Sequence, residues 1–354
     1  MKILILLIVI VVLGIVGWFA YGSVSTKPTT QITAKPKVIG TIYFRPQHTD
    51  ALEGFKEGMR KLGYTNKDIT YDDVVILAGP KMEEDVNKAV QKLIADKVDI
   101  LFVSFESSAK VALDVTKKSG SDLPIVFTTR FHDPLNYGLI ESYKSSGNNA
   151  TGVATNLTQS IQKTLLFFKE INPKAKRIAA FTDGFMIPGI SDAILKELKD
   201  QAPRFGLSIV EYKTQKPPSL AKENWVEVAD KIKLGDIDGL IHLPGHFYDS
   251  DDHGEGKSQE ADETLLANRL HIPFVVPSED LSSGGSFAFS DDFHASAGQA
   301  AVMVQKILNG IKPKDIPIEY GSKSLLILNL NRAREAGIQF PESMLSIANI
   351  KIDK

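Results

Sequence analysis

The sequence predicts an α/β protein made of two doubly wound lobes, each built on a parallel sheet. Three observations carry this expectation. Short β-rich apolar runs alternate with amphipathic helical stretches from Val38 onward, and the alternation restarts after Thr151. With 354 residues, 43% hydrophobic and 24% charged, the chain has ordinary globular composition and is long enough for two cores.

In the first half "VIGTIYF" reads as a strand. "TDALEGFKEGMRKLG" follows as a helix, with Leu52, Phe55, Met59 and Leu62 on one face, Thr49 placed to cap its start and Gly63 to stop it. "ITYDDVVIL" is the second strand, and Glu83 to Lys97 the second helix, carrying Val86, Val90, Leu93 and Ile94. "DILFVSF" is almost wholly apolar, as befits a central strand covered on both faces. "SAKVALDVTKKSG" is its helix and "PIVFTT" the next strand.

The second half runs helix "LTQSIQKTLLFFKEI", strand "RIAAFT", helix "ISDAILKELKDQAPRFG", strand "LSIVEY" and helix "ENWVEVADKIKLG". Strand "GLIHLP", helix "QEADETLLANRLH" and strand "PFVVP" complete it. Trp225 shares an apolar helix face with Val228 and Ile232 and reads as core. His242 and His271 sit among strand residues and read as structural or merely exposed. The expected first lobe is 38–150, with 283–312 returning to it; the second is 151–282, with 323–348 packing on it.

Residues Ile3 to Ala20 contain no charged or polar side chain, long enough to cross a bilayer as a helix, with Trp18 and Tyr21 suited to its interface. Residues 1–22 are therefore expected to be a transmembrane anchor; a cleaved signal peptide is the rival, since Ala20 and Gly22 are small residues at a suitable spacing. Residues 23–37 are rich in Ser, Thr, Pro and Lys and read as an extended tether. The body is then expected outside the cytoplasm. A net charge of -2 gives no field that would recruit nucleic acid, and the absence of cysteine excludes disulfides, thiol nucleophiles and Cys-type zinc sites.

In open α/β sheets ligands sit beyond the carboxyl ends of the strands. Candidate ligand residues there are Phe44, Arg45, Ser107, Ser108, Thr129, Arg130, Asp133, Asp183, His246, Phe247, Glu279 and Asp291. Ser107 and Ser108 stand at a helix start, where they either cap the helix or help it hold an anion. Arg130 suits a carboxylate, on a ligand or in a salt bridge, while Asp183 and Glu279 suit an ammonium group or a turn. Phe44, Phe131 and Phe247 could line the walls. The stretch "HFYDSDDHGEGK" reads as a polar loop edging the cleft; ligand contact and a metal site through His246, His253 and Asp249 or Asp251 stay open, without zincin or EF-hand spacing.

"ALEGFKEGMRKLGY", "LIADKVDILFVSFESSAKVA", "LPIVFTTRFHDPLNYGLI", "NNATGVAT", "INPKAKRIAAFTD", "ILNGIKPKDIPIE" and "LLILNLNRAREAGIQFPESML" resemble, in order, the ABC-type substrate-binding protein family. The branch it resembles includes tryptophan-type amino-acid binders. The resemblance implies a type I periplasmic-binding fold closing on a small polar molecule, an ABC permease and ATPase as partners, a monomer, and no cofactor. Asp133 and Pro134, and Thr151 to Val153, match interlobe segments of the family. Asp183 stands where the family commonly has Asn, and Gly245 to Phe247 where it often has Thr-Asp-Asn, so its aromatic specificity does not carry over. A ligand-sensing ectodomain is the alternative. An enzyme is the third reading, and no nucleophile elbow, H-E-x-x-H pair or phosphate loop supports it.

Overall fold

The structure, a computed structural model, describes residues 35–44, 49–77, 81–183, 190–214, 221–243 and 259–353. The expected anchor, nearly all of the tether and the loop carrying His246 and His253 lie outside the described residues. Among those described, no helix is long and apolar enough to cross a membrane.

The first sheet takes its strands from β1 (Lys37–Phe44), β2 (Ile69–Ile76), β3 (Ile100–Val103), β4 (Ile125–Thr128), β5 (Ala150–Ala154) and β11 (Glu319–Tyr320). Their order is β11-β5-β4-β3-β1-β2, with every pairing parallel. Strand β3 explains why this sheet is buried on both faces. Ile100 and Phe102 enter one apolar cluster, Leu101 and Val103 the opposite one, following the two-residue period of a strand. Helices α1 (Asp50–Lys61), α2 (Met82–Ala95) and α3 (Glu106–Ser119) cover these faces. Phe55 of α1 stacks on Phe102 at 4.1 Å between ring centres.

The second sheet uses β6 (Arg177–Asp183), β7 (Ser208–Thr214), β8 (Gly239–Ile241), β9 (Phe274–Val275), β10 (Phe287–Asp291), β12 (Ser324–Asn329) and β13 (Ile350–Ile352). The order is β13-β12-β10-β9-β8-β6-β7, parallel except where β10 meets β12. Ile178 and Ala180 face one core, Ala179 and Phe181 the other. Around it lie α4 (Leu157–Ile171), α5 (Ile190–Gln201), α6 (Ala221–Ala229), α7 (Gln259–Leu270), α9 (Leu330–Glu335) and α10 (Glu342–Ile347). Trp225 is buried 5.2 Å from Phe181, centre to centre, as its helix face required.

The sheets correct the expected division. Strand β5 belongs to the first sheet, so that lobe runs to Ala154, while β10 belongs to the second. The segment that returns to the first lobe carries α8 (Phe293–Leu308), the 3-10 turn Pro313–Asp315 and β11. Helix α8 lies so close to α1 that a Cβ on Gly54 would fall 2.1 Å from the backbone oxygen of His294. The chain thus crosses between lobes at 155–156, at Asp292 and at 321–323.

Candidate ligand-binding site

The crossings are stitched side by side. Asn156 donates its N–H to Asp291 Oδ2 at 3.2 Å, Asp292 donates to the Lys323 carbonyl at 3.0 Å, and Gly321 donates to the Ala154 carbonyl at 3.0 Å. Asp291 Oδ1 also accepts from the Ser160 hydroxyl at 3.4 Å. Burial pushes its carboxyl above the ordinary carboxylate range, against the pull of those hydrogen bonds. Thr129 serves the same junction. Its hydroxyl oxygen accepts from the Thr155 N–H, and its carbonyl accepts from the Thr155 hydroxyl, both at 2.9 Å.

Two cavities flank these crossings. One, of about 110 Å³, is lined by Arg130, Phe131, His242, Asp291 and Phe293 among others. The other, of about 450 Å³, is lined by Phe131, Asp133, Asn136, Asn156, Lys196 and Tyr320 among others. Residues of both lobes contribute to each.

Arg130 follows β4 and is buried, its guanidinium 4.1 Å above the Phe293 ring. Nη2 reaches Asp50 at 3.2 and 3.3 Å, so a protein carboxylate already engages this expected ligand anchor. Asp133 is a loop brace. Oδ1 accepts from the N–H groups of Leu135 and Asn136, and Oδ2 accepts from the Tyr143 hydroxyl at 2.7 Å.

Residue Glu106, absent from the sequence candidates, organises this edge. It is fully buried at the start of α3, and its carboxylate accepts from the N–H groups of Arg130 at 2.8 Å and Phe131 at 3.1 Å, with His132 Nδ1 at 2.7 Å. The signal was an acidic residue opening a helix directly after a buried strand. Beside it, the hydroxyls of Ser107 and Ser108 are buried and meet no hydrogen-bond partner among the described residues. Phe105 occupies the N-cap and its side chain caps nothing, so the first turn of α3 keeps its N–H groups uncapped by it.

The backbones of Phe44 and Asp183 end β1 and β6, and Glu279 lies in the short 3-10 turn Ser278–Asp280. Their side chains, and Arg45, His246 and Phe247, lie outside what is described. His242 is no lone strand histidine. It is buried between Glu263 and Glu260, which α7 brings beside the end of β8.

The sequence profile of the family "ABC transporter substrate binding protein" matches residues 42–352. The chain belongs to that family. No curated protein matches the sequence. Among solved structures, the chain is similar to an ABC domain in complex with L-Trp from Streptococcus pneumoniae, with TM-score 0.69, 20% identity, and 90% of this chain and 100% of that one covered. It is similar also to the ligand-free, open form of a substrate binding protein with adhesive properties from Clostridium difficile, with TM-score 0.69, 22% identity and coverage of 90% and 99%. A conserved domain protein from Vibrio cholerae gives TM-score 0.68 at 21% identity, covering 90% and 99%. These identities establish a shared fold, that of type I periplasmic binding proteins. In this binding protein the two lobes, the crossings between them and the cavities beside them are the parts such a fold uses to close on a ligand.

Proposed function

We propose that the chain captures a small polar molecule bearing an anionic group, an amino acid or a similar compound, and delivers it unchanged to an ABC importer. The observation that carries this reading is the start of α3, where two buried serine hydroxyls meet no hydrogen-bond partner among the described residues and the N-cap side chain makes no cap bond. A hydroxyl buried without a partner is costly, and a bound carboxylate would satisfy Ser107 and Ser108 while gaining from the helix dipole. The L-Trp complex of the similar Streptococcus pneumoniae structure supports an amino acid as the kind of guest. The apolar run at Ile3 to Ala20 supports tethering to the outer face of the membrane, with a monomeric body beyond the tether. Membrane fractionation with external protease treatment would locate the body.

Titration calorimetry of the full-length chain against amino acids, short peptides, nucleosides and sugars tests the ligand class. An anionic ligand is expected to bind, and its decarboxylated amine to bind at least tenfold more weakly. Ser108→Ala should weaken the anion by roughly 10- to 100-fold, the worth of a hydrogen bond to a charged group at about 1.5–3 kcal/mol. Equal binding of acid and amine would remove the basis of the reading, and recovery of a chemically altered ligand would favour an enzyme.

A further inference from the structure

We propose that His242, Glu260 and Asp280 form a binding site for a divalent first-row transition cation of the zinc(II) type, at the cleft edge of the second lobe. The three residues come from different elements: the residue after β8, the first turn of α7 and the end of the turn Ser278–Asp280. One donor atom from each lies within 4.8 Å of the others. His242 Nε2 and Glu260 Oε1 are 3.4 Å apart. Two ligands of a tetrahedral ion, each about 2.1 Å from it, stand about 3.4 Å from one another. A direct N–H···O bond would be shorter, about 2.9–3.0 Å.

The far side of the ring supports the same reading. Nδ1 pairs with Glu263 Oε2 at 2.7 Å, which leaves Nε2 as the ring nitrogen on the Glu260 side. That is the carboxylate–histidine–metal arrangement that fixes a ligand imidazole. His242, Glu260 and Glu263 are all buried. Carboxylates of Glu260, Glu263 and Asp280 gather about this one imidazole, a set of oxygen donors and one nitrogen that suits a dication. Mixed nitrogen and oxygen donors suit zinc or manganese more than calcium or magnesium.

The scaffold is set in advance. A Cβ on Gly284 would fall 2.3 Å from the Glu260 carbonyl oxygen, so the segment after Asp280 rests directly on α7. The Gly285 N–H donates to Thr264 Oγ1 at 3.1 Å, and that hydroxyl donates to the Glu260 carbonyl at 2.7 Å. Three protein ligands leave a position for water or for a donor from the adjoining cavity, which His242 also lines.

The full-length chain, stripped with a chelator, is titrated with zinc(II) by calorimetry and with cobalt(II) by visible absorption. One ion per chain is expected, with d–d bands showing a nitrogen ligand and a raised thermal midpoint. Asp280 is only partly buried, so Asp280→Asn should fold and weaken zinc(II) about tenfold or more; Glu263→Gln, acting through the ring, should weaken it about 10- to 100-fold. His294→Gln, on a half-buried histidine paired with Glu57, should change nothing. Absence of binding overturns the proposal, as does zinc(II) affinity that survives Asp280→Asn and Glu263→Gln but is lost in a His246→Ala, His253→Ala double variant.

Discussion

Each lobe joins a buried glutamate to a histidine at the cleft edge, and the two pairs differ in what surrounds them. In the first lobe Glu106 meets His132 Nδ1 at 2.7 Å and also receives two backbone N–H groups at the positive end of α3. In the second, Glu263 meets His242 Nδ1 at the same 2.7 Å, yet the ring's other nitrogen faces a second carboxylate, with Asp280 nearby. Donors complete the first pair, which then braces a loop. Carboxylates crowd the second, which then favours a cation. The same two side chains take opposite roles because their neighbours carry opposite polarity.

The largest effect that would test this contrast is on Glu106. Glu106→Ala leaves the N–H groups of Arg130 and Phe131 and the His132 ring without their acceptor. At about 1–3 kcal/mol for each orphaned buried group, the loss should reach about 3 kcal/mol or more in urea unfolding. Glu263→Ala removes the bond to His242 Nδ1 and also a carboxylate gathered beside Glu260, so in metal-free buffer it should cost less. Equal losses would break the comparison.

The fold was legible because burial and period agree. The helix expected over "LTQSIQKTLLFFKEI" is the observed Leu157–Ile171, and the unbroken apolar run of β3 marked a central strand. Which sheet a strand joins was less legible, since periodicity announces a strand and not its partner. Strand β10 pairs antiparallel with β12 across more than thirty intervening residues, and nothing local in either states that. At the site, Ser107, Ser108 and Arg130 could be found from their place after strand ends. The partners of His242 could not. Glu263 lies 21 residues away and becomes its neighbour only through the packing of α7 beside β8.

Asp291, a buried carboxylate that accepts hydrogen bonds at the crossings, stands between the two extremes. Its folded pKa is raised by burial, so the folded state binds the proton more tightly than the unfolded chain. Its stabilising contribution is therefore fully present below the ordinary carboxylate pKa and is lost as pH rises through the folded value. Asp291→Asn removes that titration while other carboxylates remain common to both proteins. The stability of wild type relative to this variant should rise as pH falls from 7 toward 4, read from urea midpoints at each pH. A difference that stays flat, or that falls, would mean the hydrogen bonds at the crossings fully offset the burial of this carboxylate.

The smallest contrast concerns how helices start in each lobe. Thr49 precedes α1 and reads in sequence as its cap, yet it sits in helical backbone and makes no side-chain cap bond. The first turn relies instead on Asp50 and Glu53 against the helix dipole. Asn156, at the first crossing, does cap α4, its Oδ1 accepting from the Gln159 N–H at 3.1 Å. Asn156→Ala should therefore cost about 1 kcal/mol, within the usual range of about 0.5–2 for a lost cap. Thr49→Ala should stay within about 0.5 kcal/mol, as for a surface change away from any cap. A Thr49 loss matching that of Asn156 would show that the hydroxyl caps α1 in solution after all, and that the first lobe secures its cleft-side helices by the same device as the second.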